Sequence, residues 1–345
     1  MPSPSLHVVV PAGIDDPRRP SGGNVYDRRL CDGLVRLGWA VQLHQVEGAW
    51  PSPVGADRRA VRDLLSGLPD RARVLVDGLV GSTVPDELTA HRDRLRLAAL
   101  VHLPLEDADE RRALACATTV VTTSSWTRER LLSTAALDPG RILVAEPGVD
   151  PAEPTVPTAG GGRLLCVGPV TKTKGHDVLI EALGQLADDS WRLTCVGSLD
   201  RDPELVSRLR ARVIGLGLGA RVDFRGPLGT AALGAAYAVS DLVVLASRRE
   251  SFGMVVTEGL ARGLPAVVSD VGGLPSALGR LPDGRLPGAL VPGDDVSALA
   301  QALRRWLRDD EHRSAARAAA GRRRACLPDW STTAERVAEA LVEAA

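Results

Sequence analysis

Short, unbroken apolar runs recur along this chain and alternate with longer stretches of helical period. Residues 7–10, 40–45, 74–76, 97–102, 119–122 and 142–145 read as strands in the first part, and 164–167, 192–196, 222–224, 242–246 and 266–269 in the second. Runs that are apolar at every position mark strands covered on both faces, as in a parallel sheet. Between them the spacing predicts helices over 24–37, around 111–115, from 124 or 125 to 132, and over 176–186, 203–215 and 230–240. Another helix opens near Phe252 and Gly253, residues 296–324 read as helix, and a last one covers 332–345. This alternation predicts an α/β fold with its sites at the carboxyl ends of the strands.

Residues 151–162 are rich in Pro and Gly without periodicity and read as a linker between residues 1–150 and 163–328. At 345 residues the chain is long enough for two domains, each with its own core. A net charge of −1 argues against nucleic acid as a partner. No apolar run approaches a membrane span, and the first residues lack a secretory pattern. Five scattered cysteines, none paired at metal or redox spacing, read as reduced and mostly buried thiols, so the expected location is cytoplasmic. Arginines 304, 305, 308, 313, 317 and 322–324 make the 296–324 stretch basic, which suits a solvated face or peripheral contact with an anionic membrane.

Candidate chemistry concentrates where strands end. The strand at 242–246 runs through a polar loop into a helix, leaving free amides near Ser251, Phe252, Gly253, Met254 and Val255 at the positive end of a helix dipole, which suits a phosphate. Phe252 to Glu258 rises roughly 9 Å along a helix, the reach from a phosphate to a ribose. Glu258 is thereby placed to accept from two ribose hydroxyls, with Glu250 facing the group beyond the terminal phosphate; otherwise Glu258 is a satisfied buried carboxylate. Only two of the 42 basic residues are lysines, Lys172 and Lys174, both in the loop that starts at Gly168. Ammonium groups before a helix start make an anion site. The pair Gly22-Gly23 either lets amides approach a diphosphate or makes a flexible turn. His102 and Asp77 each close a strand and read as hydrogen-bonded core or turn residues unless they serve a site. Ser198 and Arg225 end strands that would flank a nucleotide base through backbone atoms, and Gly272-Gly273 either presents N–H groups to a donor or forms a turn. Neither Asp-x-Asp nor any other evident metal-ligand cluster is present, so no metal is expected. No Gly-x-Gly-x-x-Gly follows the first strand, which sets aside a dinucleotide-dependent oxidoreductase.

Glu250, seven residues, then Glu258, with Phe252-Gly253 between them and Gly263-Leu264-Pro265 after, resembles the signature of the family-4 retaining glycosyltransferases (GT-B fold, glycosyltransferase group 1). Gly168 and Lys174-Gly175 match that family's second motif in register, and Ser21-Gly22-Gly23-Asn24 its first loop. The resemblance implies two Rossmann-like parallel-sheet domains facing one another across a cleft. The first would bind the acceptor and the second a nucleotide-diphosphate sugar, with residues 329–345 returning to the first. Lys174 would bind the diphosphate, Glu250 the sugar, Glu258 the ribose, and His102 would face the reacting sugar. Pro169 stands where the family has Arg, leaving Lys172, Arg248 or Arg249 to replace it. The implied reaction is metal-independent, retaining transfer from a nucleotide sugar (UDP or GDP) as co-substrate, with no cofactor. The acceptor would be a hydroxyl of a small molecule, natural product or glycoconjugate, in a bacterial setting. A non-catalytic nucleotide-sugar-binding protein and a sugar-nucleotide epimerase of the same architecture are the alternatives.

Overall fold

The computed structural model describes residues 3–16, 20–135 and 137–343; positions 17–19 of the expected first loop and 344–345 of the expected last helix lie outside them. The chain divides into two compact units. Unit 1 contains β1 (Ser5–Pro11), α1 (Gly22–Arg36), β2 (Ala40–Val46), α2 (Gly55–Gly67), β3 (Arg73–Asp77), α3 (Gly78–Gly81), α4 (Pro85–Thr89), β4 (Arg96–Val101), α5 (Ala108–Cys116), β5 (Thr119–Thr122), α6 (Ser125–Ala135) and β6 (Ile142–Val144). Unit 2, Val149–Leu327, contains β7 (Arg163–Val167), α7 (His176–Gly184), β8 (Arg192–Val196), α8 (Pro203–Gly215), β9 (Val222–Phe224), α9 (Thr230–Ala238), β10 (Leu242–Leu245), α10 (Met254–Leu260), β11 (Ala266–Ser269), α11 (Leu274–Leu278), β12 (Gly288–Val291), α12 (Val296–Arg308) and α13 (Asp310–Arg324). The last helix, α14 (Trp330–Glu343), is again part of unit 1 and packs along α1.

Each unit is built on a six-stranded parallel sheet. The orders are β2-β1-β3-β4-β5-β6 and β12-β11-β10-β7-β8-β9. The apolar runs are buried as their composition requires: Leu242, Val243 and Val244 have no exposed surface, nor have Val120 and Val121. Each sheet reverses its strand order once, between β1 and β3 in unit 1 and between β7 and β10 in unit 2, which opens a crevice at the carboxyl ends of those strands.

Some elements differ from the sequence pattern. The expected single helix over 296–324 is two, because Asp309 is extended and its side chain accepts from His312 N, capping α13. The helix α2, the short helices α3, α4 and α11 and the strand β12 are not among the expected elements; α2 buries fully only Val61 and Leu65. Several arginines of α12 and α13 are spent inside unit 2 rather than on a free basic face. Arg313 is buried and donates to Trp306 O, Arg308 pairs with Asp189, and Arg317 donates to Thr158 O. Among the described residues no helix is long and apolar enough to cross a membrane. Cys31, Cys116, Cys166 and Cys195 are buried free thiols and Cys326 is exposed.

The segment expected as a linker is tied down along unit 2. Thr155 N donates to Arg262 O at 2.9 Å, and the buried Asp241 accepts from Thr158 N, Thr158 Oγ1 and Arg163 N at 2.6, 2.6 and 2.9 Å. Replacing Asp241 by Ala strands those donors and leaves Arg317, 3.7 Å away, without its carboxylate. Asp241→Ala is expected to destabilise unit 2 by about 3 kcal/mol, read as a lower urea midpoint at unchanged slope.

Candidate functional site

In unit 2 the crevice lies between the loops that leave β7 and β10. After β7, Gly168 N donates to Val196 O and Val170 N to Ser198 O, so the chain runs beside the end of β8 before a short 3-10 turn, Lys172–Lys174. Gly175 then takes a left-handed conformation (φ 64°), and a Cβ there would lie 1.9 Å from Ala246 O. Only glycine lets the two loops approach this closely. Arg248 N donates to Thr173 O at 2.8 Å, a second tie between them. From the far side Gly273 N donates to Glu250 O at 3.0 Å, and a Cβ on Gly272 (φ 58°) would lie 1.7 Å from that same oxygen. The glycine pair at 272–273 therefore braces the Glu250 loop, and the Gly273 amide is not presented to a donor.

These constraints bring Lys174 and Glu250 together. The Lys174 ammonium donates to Glu250 Oε2, with the two side chains 23% and 13% exposed. Beyond them, Gly253 (φ 99°) precedes α10, whose first turn carries the amides of Met254 and Val255. Ser251 is half-buried, whereas Phe252 is packed in the core of unit 2, so only its backbone can meet a ligand. Glu258 sits on α10 and accepts from Tyr237 Oη at 2.8 Å. Burial raises its pKa, against the hydrogen bond from Tyr237 and the charge of Arg262. The Arg262 guanidinium covers the Tyr237 ring at 4.7 Å and donates to Glu258 O.

Other expected contributors stand apart. Arg248 does not replace the arginine missing at Pro169: Asp177 binds it through both oxygens at 2.8 and 2.7 Å, and Asp294 at 2.8 Å, which holds its charge on α7's side of the loop. Lys172 is exposed, with its carbonyl rather than its ammonium engaged by Arg248. Arg225 is exposed and paired with Asp223 at 2.7 Å. Ser198 is buried, with its Oγ accepting from Asp200 N, which leaves it a backbone role.

Unit 1 builds a second constellation. The helix α1 starts at Gly22, two residues before the expected start, because Ser21 Oγ accepts from Asn24 N at 3.1 Å and draws both glycines into the first turn. One turn beyond Gly23, Asp27 faces the end of β4. There His102 Nε2 lies 2.8 Å from Asp27 Oδ1 and 3.4 Å from Asp77 Oδ2. Both carboxyls are buried, and Asp77 also caps α3 by accepting from Leu79 N. Tyr26 meets the His102 ring edge-on at 5.2 Å and donates to Ala145 O. A Cβ on Gly23 would lie 3.3 Å from His102 Cδ2, so the glycine leaves room for the ring. Burial opposes the charged form of His102, but Asp27 and then Asp77 outweigh it and raise its pKa. Burial first, then Asp27, push Asp77 up to about 7.

Asp27, Asp77 and His102 are, among the described residues, the one group whose ligand atoms come within 4.8 Å of one another, a spacing a divalent ion would also accept. The sequence shows no such cluster because its members come from three separate elements. Asp27 and Tyr237 both escaped sequence reasoning. Tyr26 and Tyr237 are the only two tyrosines in the chain, and Asp27 falls one helical turn after Gly23; these were the available signals.

Residues 158–323 match the family described as Glycosyl transferases group 1. This stretch belongs to that family. A D-inositol 3-phosphate glycosyltransferase of Jonesia denitrificans is 33% identical over 219 residues, covering 58% of this chain and 50% of the relative. The chain spans about half the length of the curated relatives it matches. Among solved structures, the sucrose-phosphate synthase of Thermosynechococcus elongatus superposes with a TM-score of 0.78 at 20% identity, covering 99% of this chain and 98% of that one. Anabaena HepE in complex with UDP-glucose gives 0.76 at 17% identity, covering 98% and 99%. At these identities the likeness concerns the fold, which is GT-B.

The Asp77 shift carries a pH consequence. Its folded value is raised above the ordinary 3.8, so its stabilising contribution is complete below 3.8 and is lost as pH rises through about 7. Asp77→Asn keeps an acceptor for Leu79 N and removes the titration. The thermal midpoint of the variant relative to wild type is expected to rise between pH 5 and pH 8, by the equivalent of 1 kcal/mol or more, on the order of one pKa unit.

Proposed function

We propose that this protein is a retaining, metal-independent glycosyltransferase that moves a sugar from a nucleotide-diphosphate donor to an acceptor hydroxyl. The observation that carries the reading is the meeting of Lys174 and Glu250 at the switch point of unit 2, with Glu258 further along α10. Lys174 takes the diphosphate, exchanging Glu250 for phosphate oxygens, and the amides at the start of α10 add partial positive charge where the leaving group gathers negative charge. The released Glu250 carboxylate accepts from sugar hydroxyls, and Glu258, oriented by Tyr237, accepts from the ribose. The anomeric carbon–oxygen bond to phosphate breaks, the acceptor oxygen bonds to that carbon from the same face, and the hydroxyl proton passes to the departing phosphate. In unit 1, His102 holds the sugar or aligns the acceptor, and the Gly22 and Gly23 amides lie one helical turn before Asp27. Retention rests on the resemblance to family 4, and metal independence on Lys174 supplying the charge a metal would bring. The names of the relatives make an inositol phosphate the first acceptor to try, and the Anabaena complex makes UDP-glucose the first donor.

Pro169 favours a second reading, a nucleotide-sugar-binding protein without turnover, because Arg248 is committed to Asp177 and Asp294 and half of a cationic clamp is missing. Incubation with UDP- and GDP-sugars and polyol acceptors, followed by product analysis, separates the two; donor binding without product supports the second.

Lys174→Ala is expected to lower kcat by at least on the order of 10²-fold. Undiminished transfer would remove the lysine from the reaction. Glu258→Ala is expected to raise the donor Kd about tenfold or more, and Tyr237→Phe by less, as read by titration calorimetry.

A further inference from the structure

We propose that Asp27 is a positioning residue that fixes the proton of His102 on Nε2 and so turns Nδ1 outward as the atom that meets a substrate hydroxyl. The inference rests on the role given above to His102 and extends it to the tautomer and to the residue that sets it. Two buried carboxyl groups, Asp27 on α1 and Asp77 at the end of β3, face the same ring nitrogen at 2.8 and 3.4 Å. A lone pair there would point at both oxygens, whereas an N–H donates to the nearer one. The other nitrogen, Nδ1, makes no hydrogen bond among the described residues, and the His102 side chain keeps 17% of its surface exposed.

The ring has little freedom to do otherwise. Tyr26 closes one side edge-on and is itself anchored to Ala145 O. Gly23 lies against Cδ2, close enough that even a methyl group would crowd it. The carbonyl of His102 accepts from Thr127 Oγ1 at 3.4 Å, which ties the ring's own backbone to α6. Asp27 is thus the nearest polar group to the ring and supplies its shortest contact. A neutral imidazole protonated on Nε2 has an acceptor at Nδ1, the property a group needs to orient or receive the proton of a sugar or acceptor hydroxyl.

The free protein gives the first test, with no assay of transfer. Long-range nitrogen–proton NMR of the imidazole rings, at a pH where the ring is neutral, should show His102 protonated on Nε2, assigned by its loss in His102→Gln. Asp27→Asn should mix the tautomers and lower kcat on the order of 10²-fold with less than about threefold change in donor KM, and Asp27→Glu should recover most of both. A wild-type His102 protonated on Nδ1 overturns the proposal, even if Asp27→Asn fails to fold. So does an Asp27→Asn ring signal identical to wild type, or a divalent ion that co-purifies at one per chain and shifts the His102 signals on chelation. Absence of transfer by wild type, with the Nε2 tautomer present and lost in Asp27→Asn, leaves the positioning role standing and sinks the glycosyltransferase reading instead.

Discussion

The close passage of backbone at Gly175 is the constraint on which unit 2 depends. A parallel sheet delivers the ends of β7 and β10 side by side, but it does not bring the loops that follow into contact. That requires a residue without a Cβ beside Ala246 O, and a second one beside Glu250 O. With both in place, a lysine and a glutamate that are 76 residues apart are held as a pair. An ammonium and a carboxylate half-shielded from water hold each other in place, and an incoming dianion that took the lysine would leave the carboxylate to accept from hydroxyl donors instead.

Unit 1 solves a related problem with different chemistry. Its crevice, at the turn of strand order between β1 and β3, is filled by a histidine and two acids rather than by a cation and an acid. Two carboxyl groups this close and this buried cannot both ionise cheaply, which is why Asp77 holds its proton to near neutrality while His102 gains affinity for one. The same fold class thus presents an ion pair at the sheet end in one half and a proton-holding cluster in the other.

Much of this was legible from residue order. Unbroken apolar runs gave both sheets, because strands covered on two faces have no polar positions to spare. The Glu250–Glu258 spacing and the two lysines pointed to the two loops that the structure brings together at Lys174 and Glu250, because phosphate chemistry at a helix start would leave such a residue-type signature. What stayed hidden has a common physical cause. Asp27 and Tyr237 act by reaching a partner on another element, and a lone Asp or Tyr within a helix looks the same whether or not such a partner exists. The fate of Arg248 was hidden likewise, since its capture depends on Asp177 and Asp294, 71 and 46 residues away. The start of α1 was misplaced because glycine is a poor helix former, and the Ser21 cap overrides that preference.

The return of α14 to unit 1 ties the completion of that unit to the end of synthesis. The end of unit 2 and the segment from Pro328 onward are made last, and neither α13 nor α14 can dock before they leave the ribosome. Unit 1 lacks the helix that covers α1 until then, and its Tyr26, stacked edge-on against Trp330, lacks its neighbour. During synthesis both halves therefore stay open until the chain is released, unit 2 without α13 and unit 1 with one face of α1 uncovered. A nascent chain stalled near Pro328 would hold two unfinished units, the state in which chaperone capture and proteolysis have their best opportunity.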